Sequence, residues 1–92
     1  MLNEADRSAI VELSRRYGAR RVLLFGSSAD TAREGNDIDL AVEGVPPSQF
    51  FSYFGDLIFS LSKPLDLVDL SRDSKFNRLI ARDGIAIYEQ PS

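Results

Sequence analysis

The chain reads as a small α/β domain: a mixed sheet of about four strands with helices packed on one face. Three observations predict it. Segments with apolar residues at three- and four-residue spacing alternate with short apolar runs, in the order α-β-β-α-β-α-β. The runs themselves, such as Val22-Leu23-Leu24-Phe25, are too short for helices and long enough for buried strands. Finally, 43% hydrophobic and 27% charged residues over 92 positions is the composition of one globular domain spanning residues 1–92.

From about Glu4 to Tyr17 the apolar positions Ile10, Leu13 and Tyr17 predict a helix, with Asn3 as N-cap and Gly18 as its stop. Asp6 holds the capping-box position three residues beyond Asn3. Arg20 to Phe25 is the first strand, closed by Gly26-Ser27-Ser28. The polar stretch Asp30 to Asn36 is a loop or a helical turn. Asp37 to Val42 alternates acid and apolar, the period-two pattern of a strand with two unlike faces. A turn over Gly44–Pro47 leads into a helix from Ser48 to Ser62, with Phe50, Phe51, Phe54, Leu57, Ile58 and Leu61 on one broad stripe. Leu65 to Leu70 is a third strand. Ser71 or Asp73 caps a short helix ending near Asp83-Gly84, and Ile85 to Tyr88 is the last strand.

The missing residue types narrow the chemistry. Without Cys there is no disulfide, no thiolate zinc site and no thiol nucleophile. Without His there is no Ser-His-Asp relay and no imidazole ligand. Any metal is then a hard ion held by oxygen, Mg²⁺ or Mn²⁺ first. A net charge of −3 argues against non-specific nucleic-acid binding. No apolar run nears the roughly 20 residues of a membrane span, and the N-terminus lacks the pattern of a signal peptide, so the expected compartment is the cytoplasm.

The most informative stretch is Gly26-Ser27 followed by Asp37-Ile38-Asp39. On a strand Asp37 and Asp39 share one side while Ile38, Leu40 and Val42 take the other. Two carboxylates about 6.5–7 Å apart along a strand repel unless a cation lies between them. Gly26 allows a sharp turn close to a phosphate, and Ser27 adds a hydroxyl donor. A glycine-serine turn is usually only a turn, and an Asp-x-Asp is usually a solvated edge; their sequence proximity, with a third acidic strand downstream, is what raises the signal.

The combination resembles the minimal nucleotidyltransferases (MNT proteins) of the polymerase-beta-like superfamily. The matching residues are Leu24-Phe25-Gly26-Ser27, Ala32-Arg33-Glu34-Gly35, Asn36-Asp37-Ile38-Asp39-Leu40-Ala41-Val42, Leu65-Asp66-Leu67-Val68-Asp69-Leu70 and the ending Leu79-Ile80-Ala81-Arg82-Asp83-Gly84. The resemblance implies Mg²⁺-ATP, or another nucleoside triphosphate, as substrate and transfer of a nucleotidyl group, with AMP foremost, to a hydroxyl. It also implies a HEPN-domain toxin as partner, with this chain as the antitoxin. Carried over, the metal-binding and catalytic carboxylates fall on Asp37, Asp39 and Asp66, and nucleotide contacts on Gly26, Ser27 and Arg33. Asp69 rivals Asp66 for the third carboxylate, but in a strand the two lie on opposite faces. The family's Ala-Arg-Gly after Gly-Ser is replaced here by Ser28-Ala29-Asp30-Thr31, which sets an acid where a cation usually stands. That acid is unfavourable beside a triphosphate unless a metal or Arg33 offsets it.

Two other functions compete. A degenerate domain could neutralise a partner by contact alone, or the acceptor could be a small molecule such as an antibiotic. Five aromatics between Phe50 and Phe59 exceed one helix stripe, which points to an interface with a HEPN partner or a second copy. The arginines at positions 15, 16, 20 and 21 read as a solvated helix end.

Overall fold

The computed structural model describes residues 2–26 and 37–91. Seven elements follow one another: α1 (Glu4–Arg16), β1 (Arg21–Leu24), β2 (Ile38–Glu43), α2 (Pro47–Ser60), β3 (Leu65–Asp69), α3 (Lys75–Asp83) and β4 (Ile85–Glu89). The strands form one mixed sheet in the order β3-β2-β1-β4. β1 runs antiparallel to both β2 and β4, whereas β2 and β3 are parallel, joined by the α2 crossover. This is the mixed α/β sheet expected from the sequence.

The main core lies on one side of the sheet. Val22 and Leu24 of β1 and Ile38, Leu40 and Val42 of β2 pack there against Ile10 and Leu13 of α1 and Tyr53 and Leu57 of α2. The alternating residues Leu23 and Ala41 point the other way and are buried against Ile80 of α3, with Phe25, Val68 and Leu70 around them. The helices therefore do not all share one face: α1 and α2 cover one side and α3 the other. Ala41 explains why the sequence expectation missed this. A small residue between acids reads as a solvated face, yet it is the gap into which Ile80 fits.

Helix ends follow their local chemistry. Asn3 caps α1 by accepting from the Asp6 amide at 2.7 Å. Asp6 itself completes no capping box. Its buried carboxylate accepts from the Ser62 amide (3.1 Å) and hydroxyl (2.6 Å), tying the start of α1 to the end of the α2 connection. α3 is capped by Ser74 rather than by Ser71 or Asp73. Ser71 is instead engaged by Asp69, whose carboxylate accepts from both its amide and its hydroxyl. From α2 the core takes Tyr53 and Leu57, with Phe50 packed against them; Phe54 is half-buried, and Phe51 and Ile58 of the expected stripe are exposed. Tyr53 belongs to the core because its hydroxyl finds Ser14 at 2.8 Å, so a polar atom is buried with a partner.

Candidate active site

The chain brings its glycine turn and its acids together through the sheet. β1 ends at Leu24, and the Phe25 amide still donates to the Asp39 carbonyl at 3.0 Å, so the two strands stay paired up to the turn. Gly26 then takes φ +64°, a left-handed conformation that disfavours any residue with a Cβ. Space demands glycine as well. A Cβ at this position would lie 2.7 Å from Asp39 Oδ2 and 3.3 Å from its Cγ. The turn backbone thus rests directly against the Asp39 carboxylate, leaving room that only a hydrogen side chain preserves.

Asp66 joins from the neighbouring strand. In the parallel β2–β3 register Asp39 stands opposite Asp66, so both side chains leave the same face of the sheet, with the strands about 4.8 Å apart. That is the face opposite the main core, since Ile38 and Leu40 flank Asp39 on the other side. Asp69 pairs with Val42, lies on the opposite face from Asp66 and is spent on the Ser71 turn. Asp37 is exposed one residue before β2, where the next amide, of Ile38, donates to the Pro64 carbonyl at 2.8 Å and anchors this end of β2 to the start of β3. Ser27 and Arg33 lie outside the described residues, as does the altered segment around Asp30.

The donor set suits a hard divalent cation. It consists of carboxylate oxygens, in a chain without His or Cys. Among the described residues no three carboxylates converge into a complete ligand cage. Mg²⁺ does not require one, because it is commonly held by one or two carboxylates together with substrate phosphates and water. Two acids on adjacent strands, beside a turn that admits close approach, meet that requirement.

Next to the turn, on the same side of the sheet, the surface is largely apolar. Phe25 and Gly26 line a cleft of about 370 Å³ with Phe76, Leu79, Ile80 and Gly84, and Phe25 and Phe76 meet edge to face with ring centres 6.1 Å apart. Sequence reasoning passed over this cleft because its walls come from the segment after β1 and from α3, which are far apart in the chain. The half-exposed Phe76 and Leu79 on α3, three residues apart, were the available signal.

Comparison with known proteins agrees with this architecture. A family model described as "Polymerase beta, Nucleotidyltransferase" matches residues 9–92. No curated protein matches the chain at a significant level. Among solved structures, a toxin–antitoxin complex with AMP-PNP has a chain with TM-score 0.72 and 24% identity, covering 91% of this chain and 73% of that one. The MntA–HepT toxin–antitoxin complex gives TM-score 0.69 and 21% identity over 96% of this chain and 74% of that one. A tri-AMPylated Shewanella oneidensis HEPN toxin in complex with MNT antitoxin gives 0.68 and 23%, over 92% and 71% respectively. At these identities the structures establish a shared fold, and the family match over nearly the whole length carries the assignment: the chain belongs to the polymerase beta nucleotidyltransferase family.

Proposed function

We propose that this protein transfers a nucleotidyl group, AMP from ATP, to a hydroxyl of a HEPN-domain partner and acts as that partner's antitoxin in the cytoplasm. One observation carries the reading: the register that sets Asp66 beside Asp39 on the sheet face where Gly26 abuts the Asp39 carboxylate. The solved complexes, one with AMP-PNP and one with an AMPylated HEPN toxin, support the choice of nucleotide and partner.

Asp37, Asp39 and Asp66 are the residues that would hold Mg²⁺ or Mn²⁺. When bound, such an ion neutralises charge on the transferring group and on the leaving pyrophosphate. The chain's own residues do the rest. Asp39 and Asp66 would fix the position of such an ion, and with it the orientation of the nucleotide. The Gly26 turn lets the triphosphate lie close to the backbone, with Ser27 and Arg33 as further phosphate contacts. Asp66 accepts the proton of the attacking hydroxyl as its oxygen bonds to the α-phosphorus, and the bridging oxygen leaves with the bonding pair as pyrophosphate.

The test incubates the protein with Mg²⁺, labelled ATP and its HEPN partner, and locates the label by mass spectrometry. AMP on a partner hydroxyl is the expected result. Asp66→Asn is expected to lower transfer at least about 100-fold, or roughly 2.7 kcal/mol of transition-state stabilisation, while Mg²⁺-ATP still raises the melting temperature. Full activity in that variant removes Asp66 from the site. A second reading, neutralisation by contact alone, is favoured by the bare apolar side of α2, where Phe51 is 82% and Phe59 93% exposed. A wild-type protein that binds its partner but shows no thermal response to Mg²⁺-ATP would select it.

A further inference from the structure

The cleft beside Gly26 lies on the same side of the sheet as Asp39 and Asp66 but differs from them in character, which suits it to a separate task. Its walls are Phe25 on the sheet side and Phe76, Leu79 and Ile80 on α3. Its one charged lining residue among those described is Asp83, which is negative and paired edge-on with Arg82 through two hydrogen bonds of 2.9 and 3.1 Å. Among the described residues no cationic side chain lines it, so these walls offer a phosphate no counter-charge. They suit an uncharged, largely apolar group, and the facing aromatic and aliphatic side chains favour a flat ring.

The cleft is also built to stay open. Asn77, nearly buried, donates to the carbonyls of Asp69 (3.1 Å) and Arg72 (2.7 Å) and so fastens α3 to the end of β3. At the other end of the helix a Cβ on Gly84 would lie 2.7 Å from the Ile80 carbonyl and 3.1 Å from Leu23 Cβ, so the turn that ends α3 packs tightly against β1. With both ends of α3 fixed, Phe76 and Leu79 remain half exposed over a space that no described side chain fills.

Gly26 belongs to both regions: it touches the Asp39 carboxylate and lines the cleft. A molecule with an anionic end at the acids and a flat neutral end here would span the turn. We propose that the cleft between Phe25 and α3 receives the nucleobase of the nucleotide substrate, with Phe76 and Leu79 as its principal contacts. This rests on the nucleotidyl-transfer reading and adds to it the residues that bind the base.

The chain contains no tryptophan, so Phe76→Trp places a single fluorescent reporter in the wall of the cleft. With Mg²⁺ present, ATP is expected to change its emission saturably. Tripolyphosphate, which lacks base and sugar, should leave the emission unchanged while competing with ATP. Leu79→Asn is expected to weaken ATP binding on the order of tenfold, the scale of one lost base contact, and to leave tripolyphosphate binding, measured by calorimetry, within about twofold. The folded state of each variant is checked by its melting temperature without ligand. If wild-type protein binds ATP but the reporter stays silent, or answers only to the partner protein, the base lies elsewhere and the inference is overturned. Equal weakening of ATP and tripolyphosphate by Leu79→Asn overturns it too. If the wild type binds neither ligand, the nucleotidyl-transfer reading fails and the inference falls with it.

Discussion

Gly26 and Asp39 show how closely a single residue type can be required. Two independent demands meet at Gly26: a left-handed backbone and a carboxylate oxygen where a side chain would begin. Gly26→Ala is therefore expected to cost about 1–2 kcal/mol in urea unfolding from backbone strain alone. Its larger effect should be on ligand response, with the Mg²⁺-ATP shift in melting temperature lost because the Asp39 carboxylate is displaced. A variant with normal stability and a normal shift would show that the close approach is dispensable. Much of this was legible in the sequence, since a glycine after an apolar run beside an Asp-x-Asp already suggests a turn near an anion. The contact itself was not, because nothing local in the chain says that residue 26 will face residue 39. Ser27 and Arg33 remain assignments by resemblance, being outside the described residues.

Among the elements, the two core helices are joined by polar links inside an otherwise apolar layer. The Tyr53 hydroxyl meets Ser14 at 2.8 Å with both residues fully buried, and at the end of α1 the Tyr17 hydroxyl donates to Asp56. Tyr53→Phe leaves the Ser14 hydroxyl without that partner and is expected to destabilise by about 1–2 kcal/mol. Adding Ser14→Ala should recover part of the loss, giving a coupling energy of at least about 0.5 kcal/mol in a double-mutant cycle; strict additivity would mean the pair contributes nothing. Element boundaries were largely readable, because Asn3, Gly18 and the Pro46-Pro47 pair carry their own backbone preferences. The orientation of α2 was not. Its aromatics surround the helix, so apolar spacing alone could not choose between Phe51 and Tyr53 as the buried position, and the choice fell to a hydrogen bond with a residue 39 positions away. α3 was misplaced for a related reason, its docking face consisting of Ile80 against Ala41 and Leu23 on strands far earlier in the chain.

For the molecule as a whole, buried phenols make stability sensitive to alkali. Burial pushes the Tyr53 phenol up to about 12, with the Ser14 hydrogen bond pulling weakly the other way. Tyr17 is also raised, first by its hydrogen bond to Asp56. A phenol that titrates near 10 when unfolded and near 12 when folded keeps its proton longer in the native state. Its contribution is therefore complete below pH 10 and is lost as the pH rises from about 10 to about 12. Two units correspond to a loss on the order of 2–3 kcal/mol, which urea titrations across that window should reveal and which Tyr53→Phe should diminish. The fold class was legible from the order of elements, but the strand order and the parallel pairing of β2 with β3 were not, being set by contacts across the α2 crossover. That pairing has a consequence for how the site tolerates change. Strand side chains alternate strictly, so sliding β3 by one position along β2 would push Leu65 and Leu67 into water and turn Asp66 inward. The oily interior thus serves as a gauge for the spacing of Asp39 and Asp66: a slip that would part these two acids also strips leucines from the core, so it announces itself as lost stability.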